Sequence, residues 1–169
     1  VGFNYLCNPM LSLAREMIRA GEIGEVRSYR GIHAEDYMAD AATPFGFRHE
    51  PAGGGALADI GSHALATAEF LLGPITKVMG DCITAIASRP DGRGGQRAVT
   101  VDDASRAFLR FANGASGSIE ASWMPSSPEP GMKKPIDRLT MSGSVTTAMT
   151  ELIAVSEMFR ATSPRNRCE

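Results

Sequence analysis

Asp59 and His63 stand four residues apart and are the sharpest chemical feature of the sequence. If the segment that carries them is helical, both side chains project from one face and reach a common ligand. An imidazole with an ordinary pKa of about 6.5 accepts a proton at neutral pH. A carboxylate beside it favours the protonated ring or orients a substrate hydroxyl. Taken alone, the pair equally describes a capping or exposed aspartate and a half-buried histidine on an ordinary amphipathic helix.

Two other chemistries fit nearby residues. Gly53-Gly54-Gly55-Ala56-Leu57-Ala58 satisfies the Gly-x-Gly-x-x-Ala spacing of a dinucleotide fingerprint, followed by a helix, the strand-like Ile75 to Gly80, and Asp81. That reading conflicts with Phe45 to Ala52, which is not the buried apolar strand that should deliver the first glycine to a pyrophosphate. Alternatively, Asp59 and His63 serve as metal ligands with Glu35, His33 or His49, because carboxylate and imidazole together suit Zn or Mn. The sequence holds three histidines, and nothing in it fixes the loop residues near the helix.

The elements that must position these groups are legible from periodicity. Met10, Leu13, Ala14, Met17 and Ile18 recur at helical spacing between Pro9 and Ala20, with Asn8 as N-cap and Gly21 as stop. Val26 to His33 reads as a strand, and Ala34 to Pro51 as a long loop of the kind that carries function. The glycine triplet opens a helix over Ala56 to Leu72, closed by Gly73-Pro74. Ile75 to Ala87 is an interrupted strand, and Asp91 to Arg97 a turn rich in Gly and Arg. Within Val99 to Trp123, Ala107, Leu109 and Phe111 alternate with polar neighbours. Asn113-Gly114 supplies a hairpin turn, and Ile119, Ala121 and Trp123 alternate again. A proline-rich loop at 125–135 leads to short strands near Ile136 to Met149 and Ile153 to Phe159, and the terminal residues lack an apolar period.

Helix, strand, loop and helix followed by a run of strands predict a single α+β domain over 1–169: a largely antiparallel, mixed sheet with helices on one face. The other face then meets solvent or a partner, which makes a homodimer or larger assembly through the open sheet an expectation. A chain that is 43% hydrophobic and 21% charged is long enough for a sizeable core. Its formal charge of -2 argues against nucleic acid as a partner. No apolar run approaches the ~18 residues of a membrane span, and the N-terminal residues do not resemble a signal peptide. Three dispersed cysteines suggest neither a disulfide framework nor a Cys-based zinc site, so a cytoplasmic setting is expected.

Taken together, several segments resemble one family. They are Val1-Gly2-Phe3-Asn4-Tyr5 with Asn8-Pro9, Ile18-x-x-Gly21-Glu22-Ile23-Gly24, Arg30-Gly31, Glu35-Asp36 and Arg48, then Gly53-Gly54-Gly55-Ala56-Leu57-x-Asp59-Ile60-Gly61-Ser62-His63, and Phe111-x-Asn113-Gly114-Ala115. This pattern is similar to the C-terminal domain of the glucose-fructose oxidoreductase, inositol dehydrogenase and MocA family. The resemblance implies an NAD- or NADP-dependent oxidoreductase acting on a cyclic polyol or sugar, whose nucleotide sits in a separate Rossmann domain. It implies that His63 is the general base and that Asp59 polarises the substrate hydroxyl and tunes the imidazole. Asn4 and Tyr5 would lie beside the sugar, and Glu35, Asp36 and Arg48 would contribute to specificity. The glycines of the triplet would then leave room for substrate and a cofactor edge.

The resemblance is incomplete. Leu6 stands where the family often has arginine, and the sequence stops at Glu169, where the family domain usually continues, so a truncated domain is expected. The family's catalytic lysine, in a Glu-Lys-Pro segment, belongs to the nucleotide-binding half, and Lys133-Lys134-Pro135 is not assigned that role. No nucleotide is expected to bind these 169 residues alone. A different class of function, a stand-alone sugar-binding or dimerisation module without redox activity, is the alternative.

Overall fold

A computed structural model of the chain describes residues 2–124. The loop expected at 125–135, the strands expected near 136–149 and 153–159, and the terminal tail lie outside the described residues.

Helix α1 (Pro9–Arg19) begins as the sequence predicts: Asn8 Oδ1 accepts from the Met10 N–H at 2.9 Å, and Pro9 occupies a first-turn position that needs no donor. Its apolar side is only partly used. Ile18 packs on the core while Met10 and Leu13 stay exposed, because α1 leans on the second helix at the rim of the domain.

Strand β1 (Ser28–Ala34) alternates as expected, with Tyr29, Gly31 and His33 half-buried and Ser28, Arg30, Ile32 and Ala34 exposed. The predicted hairpin is β5 (Ala104–Phe111) and β6 (Ser116–Ser122), joined through Gly114 at φ 91°. In that turn the Asn113 Oδ1 accepts from the Ala115 N–H at 3.0 Å. Ala107, Leu109, Phe111, Ile119, Ala121 and Trp123 are all buried, as the alternation requires.

The strand expected over 75–87 is shorter. β2 (Ile75–Ile83) ends where the N–H groups of Ala85 and Ile86 both donate to Asp103 Oδ2, at 2.8 and 2.9 Å, and draw the chain off the sheet. It re-forms as β3 (Ser88–Pro90), which pairs antiparallel with β4 (Gln96–Ala98) across the Gly- and Arg-rich turn. The main sheet has the order β1-β6-β5-β2, antiparallel except for the parallel β1–β6 pair.

The expected second helix is divided. One π-helical turn (Leu57–Gly61) precedes α2 (Ser62–Leu72). α2 covers one face of the sheet, where Leu65, Ala68 and Leu72 meet Ala107, Leu109, Phe111 and Ile119. Fully burying each large apolar side chain in this row is worth about 1.5–3 kcal/mol, so tertiary packing holds α2 in place more than helix propensity does. On the opposite face Met79 and Phe108 are partners in register, 58% and 65% exposed, with Ile32 also open. The chain is therefore of the α+β class with a mixed sheet, one face of which is open among the described residues.

Candidate active site

The glycine triplet works as a hinge between three of the chain's own segments. A Cβ on Gly54 would collide with the carbonyl oxygens of Arg48 and Glu50, and one on Gly55 would collide with Asp102 Oδ1 at a backbone φ of 97°. Asp102 fills this position because it caps the helical opening: its Oδ2 accepts from the Leu57 N–H at 2.8 Å, and its carbonyl accepts from the Ala56 N–H at 2.9 Å. The expectation that the triplet leaves room for substrate and cofactor is thus corrected. Only Gly53 faces open space, while Gly54 and Gly55 are consumed by packing. The residues before it form the short 3-10 turn Phe47–His49, not a strand, so the triplet does not fit a pyrophosphate cradle either.

The π-helical turn carries Asp59. Ser62 N–H donates to Leu57 O, five residues back, and Ser62 Oγ donates to the Asp59 carbonyl at 3.2 Å. The Asp59 carboxylate is held from the long loop. Tyr37 Oη donates to Asp59 Oδ2 at 2.7 Å, and Arg48 Nε donates to the same oxygen at 2.9 Å. Partial burial, and then the bond to Asp59, push the Tyr37 phenol pKa upward, so it stays a donor. The same bond raises the pKa of the Arg48 guanidinium, which also stacks on Phe47 and Tyr37 with centroid distances of 4.6 and 5.6 Å.

That loop is fixed from below. Arg89, fully buried, donates to the Asp40 carbonyl at 2.9 Å and the Met38 carbonyl at 2.7 Å, with the Asp103 carboxylate at 3.6 Å. The ring of Tyr37 lies 6.2 Å from that of Trp123, which is also buried. His49 is used in the same way: its Nδ1 accepts from the Gly46 N–H at 3.0 Å, and its ring sits between Phe45 and Trp123. It is therefore placed apart from the ligand set that the metal reading required. Among the described residues no group of three or more His, Cys, Asp or Glu is arranged to hold a metal ion.

His63 opens α2 and faces a cavity of about 230 Å³ lined by Tyr5, Tyr29, Gly31, Ile32, His33, His63, Ala64 and Thr67. Its ring meets those of Tyr5 at 5.0 Å, Phe3 at 5.4 Å and His33 at 6.4 Å, all edge-on. Burial, and secondarily the nearby His33, lower the pKa of the imidazole, against the opposing pull of Asp59. A lowered pKa keeps the ring neutral at pH 7 and able to accept a proton.

Of the residues singled out from the sequence, Tyr5, His33 and His63 line the cavity. Asp59 and Arg48 form a neighbouring pair outside its lining, and among the described residues the Asp59 carboxylate bonds to Tyr37 and Arg48 rather than to His63. Glu35 Oε1 lies 3.0 Å from His33 Nε2, which brings it to the edge of the cavity. Asn4 is exposed in the short 3-10 turn Asn4–Cys7, and Asp36 is exposed at the start of the loop. Tyr37, Tyr29 and Asp102 were not legible as site residues. Only the placing of an aromatic residue inside a carboxylate-rich loop hinted at Tyr37.

Residues 11–146 match the family model described as the GFO/IDH/MocA C-terminal domain. Levoglucosan dehydrogenase of Pseudarthrobacter phenanthrenivorans is 38% identical over 136 residues, which is 72% of this chain and 35% of that protein. A solved structure of levoglucosan dehydrogenase in complex with NADH and L-sorbose superposes with a TM-score of 0.70 at 38% identity, covering 74% of this chain and 34% of its own. An NAD-binding oxidoreductase from Klebsiella pneumoniae superposes with a TM-score of 0.71 at 35% identity, covering 76% and 35%. The chain spans about a third of the length of the relatives it matches.

Proposed function

The chain belongs to the GFO/IDH/MocA C-terminal domain family, and on that premise we propose that it is the substrate-binding and catalytic domain of an NAD- or NADP-dependent oxidoreductase acting on a cyclic polyol or sugar. The observation that carries the proposal is His63: a half-buried imidazole, its pKa lowered, facing a cavity walled by aromatic edges. Aromatic rings cover the C–H faces of a cyclic polyol, and the imidazole takes the proton of one hydroxyl. In such an enzyme the nicotinamide, bound elsewhere, accepts the hydride.

In this reading His63 is the general base. Asp59, anchored through Oδ2, presents the rest of its carboxylate as a fixed acceptor that orients the same hydroxyl and favours the imidazolium once it forms. Tyr5 covers the sugar, and Asn4, its neighbour in the 3-10 turn, lies beside the site. Glu35, Asp36 and Arg48 contribute to specificity from the loop. In this reading the 169 residues alone turn over no alcohol, because none of their own side chains accepts a hydride. The proposal extends to a single domain over 1–169, to a cytoplasmic setting, and to assembly through the open sheet face as a homodimer or larger.

Titration calorimetry of the full chain against levoglucosan, L-sorbose, myo-inositol, NAD and NADP tests this reading. The expected result is polyol or sugar binding that His63→Ala and Asp59→Ala weaken at least about tenfold, without binding of either nucleotide. Tight nucleotide binding would overturn it and restore the fingerprint reading. The alternative, a stand-alone sugar-binding or dimerisation module, draws on the exposed Met79–Phe108 face. A reading frame encoding Gly-x-Gly-x-x-Gly and Glu-Lys-Pro ahead of Val1 favours the enzyme over the module.

A further inference from the structure

We infer that His33 is a further positioning residue of this site: held by Glu35 across the cavity from His63, it opposes a positive charge on His63 and leaves that ring free to act as acceptor. The inference rests on the reading of His63 as base.

His33 and His63 come from different elements, β1 and α2, yet both line the same cavity of about 230 Å³. Their ring centroids are 6.4 Å apart. The Tyr5 ring lies edge-on to both, at 5.7 and 5.0 Å between centroids. The two rings are not equivalent. An ionised Glu35 only accepts, so His33 Nε2 donates to Oε1 across 3.0 Å, and a positive charge on that ring has a counter-ion in contact. His63 Nδ1 is buried and, among the described residues, has no hydrogen-bond partner. Two cationic rings at this separation, in a partly buried space, oppose each other. A positive charge on His63 is therefore opposed by the neighbouring ring.

The other groups facing His63 do not reverse this. Asp59, in the π-helical turn just before α2, draws a proton toward His63, but its carboxylate is shared with Arg48 and Tyr37. Tyr5 and Tyr29 present phenol rings, and Phe3 is apolar. The lowered pKa of His63, to which His33 contributes after burial, agrees in direction.

Three histidines in the sequence make the test direct. Imidazole carbon-proton NMR of the full chain gives three ring signals, and His49, buried beside Trp123, reports the integrity of the fold. His33→Gln is expected to raise the His63 titration midpoint by about half a pH unit or more, whereas His33→Lys, which keeps the positive charge, leaves it at or below its original value. Glu35→Gln preserves the shape of the pair and is expected to move the His63 midpoint upward as well. A His63 midpoint unchanged in both His33→Gln and Glu35→Gln overturns the inference, as does an upward shift in His33→Lys. If His33→Gln disturbs the His49 signal, Glu35→Gln decides. Polyol binding by the unaltered chain, measured alongside, separates the two failures: coupling with no binding removes the sugar reading, and binding with no coupling removes only the role of His33.

Discussion

Tyr37 and Arg48 donate to one and the same oxygen of Asp59, Oδ2, at 2.7 and 2.9 Å. Both donors come from the loop between β1 and the 3-10 turn or from that turn itself, while Asp59 sits in the π-helical turn. The geometry of the carboxylate is thus set by a loop that Arg89 and Trp123 hold in place.

Tyr37→Phe removes one of the two donors without removing the ring. It is expected to cost about 1 kcal/mol of stability, modest because the hydroxyl is partly exposed. The same substitution made in an Asp59→Asn background should cost clearly less. Urea unfolding of the four proteins of this cycle measures the coupling, and purely additive costs would contradict a shared bond.

Gly55→Ala places a Cβ against Asp102 Oδ1 at a positive φ. Strain and displacement of the cap act together, so a loss of about 2 kcal/mol or more is expected. Asp102→Ala removes the acceptor for the Leu57 N–H and should lose about 1–2 kcal/mol. Gly53→Ala, with nothing within 4 Å but a φ of 94°, should be milder than Gly55→Ala. Thermal melts rank the three, and a tolerated Gly55→Ala would refute the packing account of the triplet.

Both His49 and His63 have pKa values lowered by burial in the folded chain. The unfolded chain titrates its histidines near 6.5, so below that pH it binds protons that the native state refuses. The stability from these neutral rings is fully present above 6.5 and is lost as pH falls from there toward the folded pKa values. Urea midpoints measured between about pH 7.5 and 5 should fall with pH, and a midpoint that rises on acidification would contradict the sign.

Phe108 and Met79 face each other across β5 and β2 on the uncovered side of the sheet. Phe108→Glu puts a charge at the centre of that surface, beside the Arg106–Glu120 pair at 3.0 Å. If the sheet face joins copies of the chain, light scattering should report a dimer or larger species that Phe108→Glu converts to monomer, with little change in the melting of the monomer itself. A monomer at high concentration in the unaltered chain removes the assembly proposal.

Much of the framework was decided by local chemistry and is readable from the residues alone. Asn8-Pro9 caps α1 because the amide accepts from a free N–H and proline needs none. The β5–β6 hairpin follows from strict alternation about Asn113-Gly114, since a period of two admits one burial pattern. The spacing of Asp59 and His63 also put both on the helical segment after the glycine triplet, which the fold divides into the π-helical turn and α2. What the residues could not reveal depends on contacts between segments far apart in the chain. The cap on the helical opening, the filling of the space beside Gly55 and the end of β2 at Ile83 all depend on Asp102 and Asp103, which lie more than fifteen residues from the backbone groups they bond. The same holds for the partners of the site: Tyr37 and Arg48 reach Asp59, and His33 reaches His63, only because the sheet and α2 bring β1, the loop and the helix opening together. Sequence periodicity encodes which face of an element is buried, whereas the choice of partner for a buried polar group is made by the tertiary packing that removes water from it.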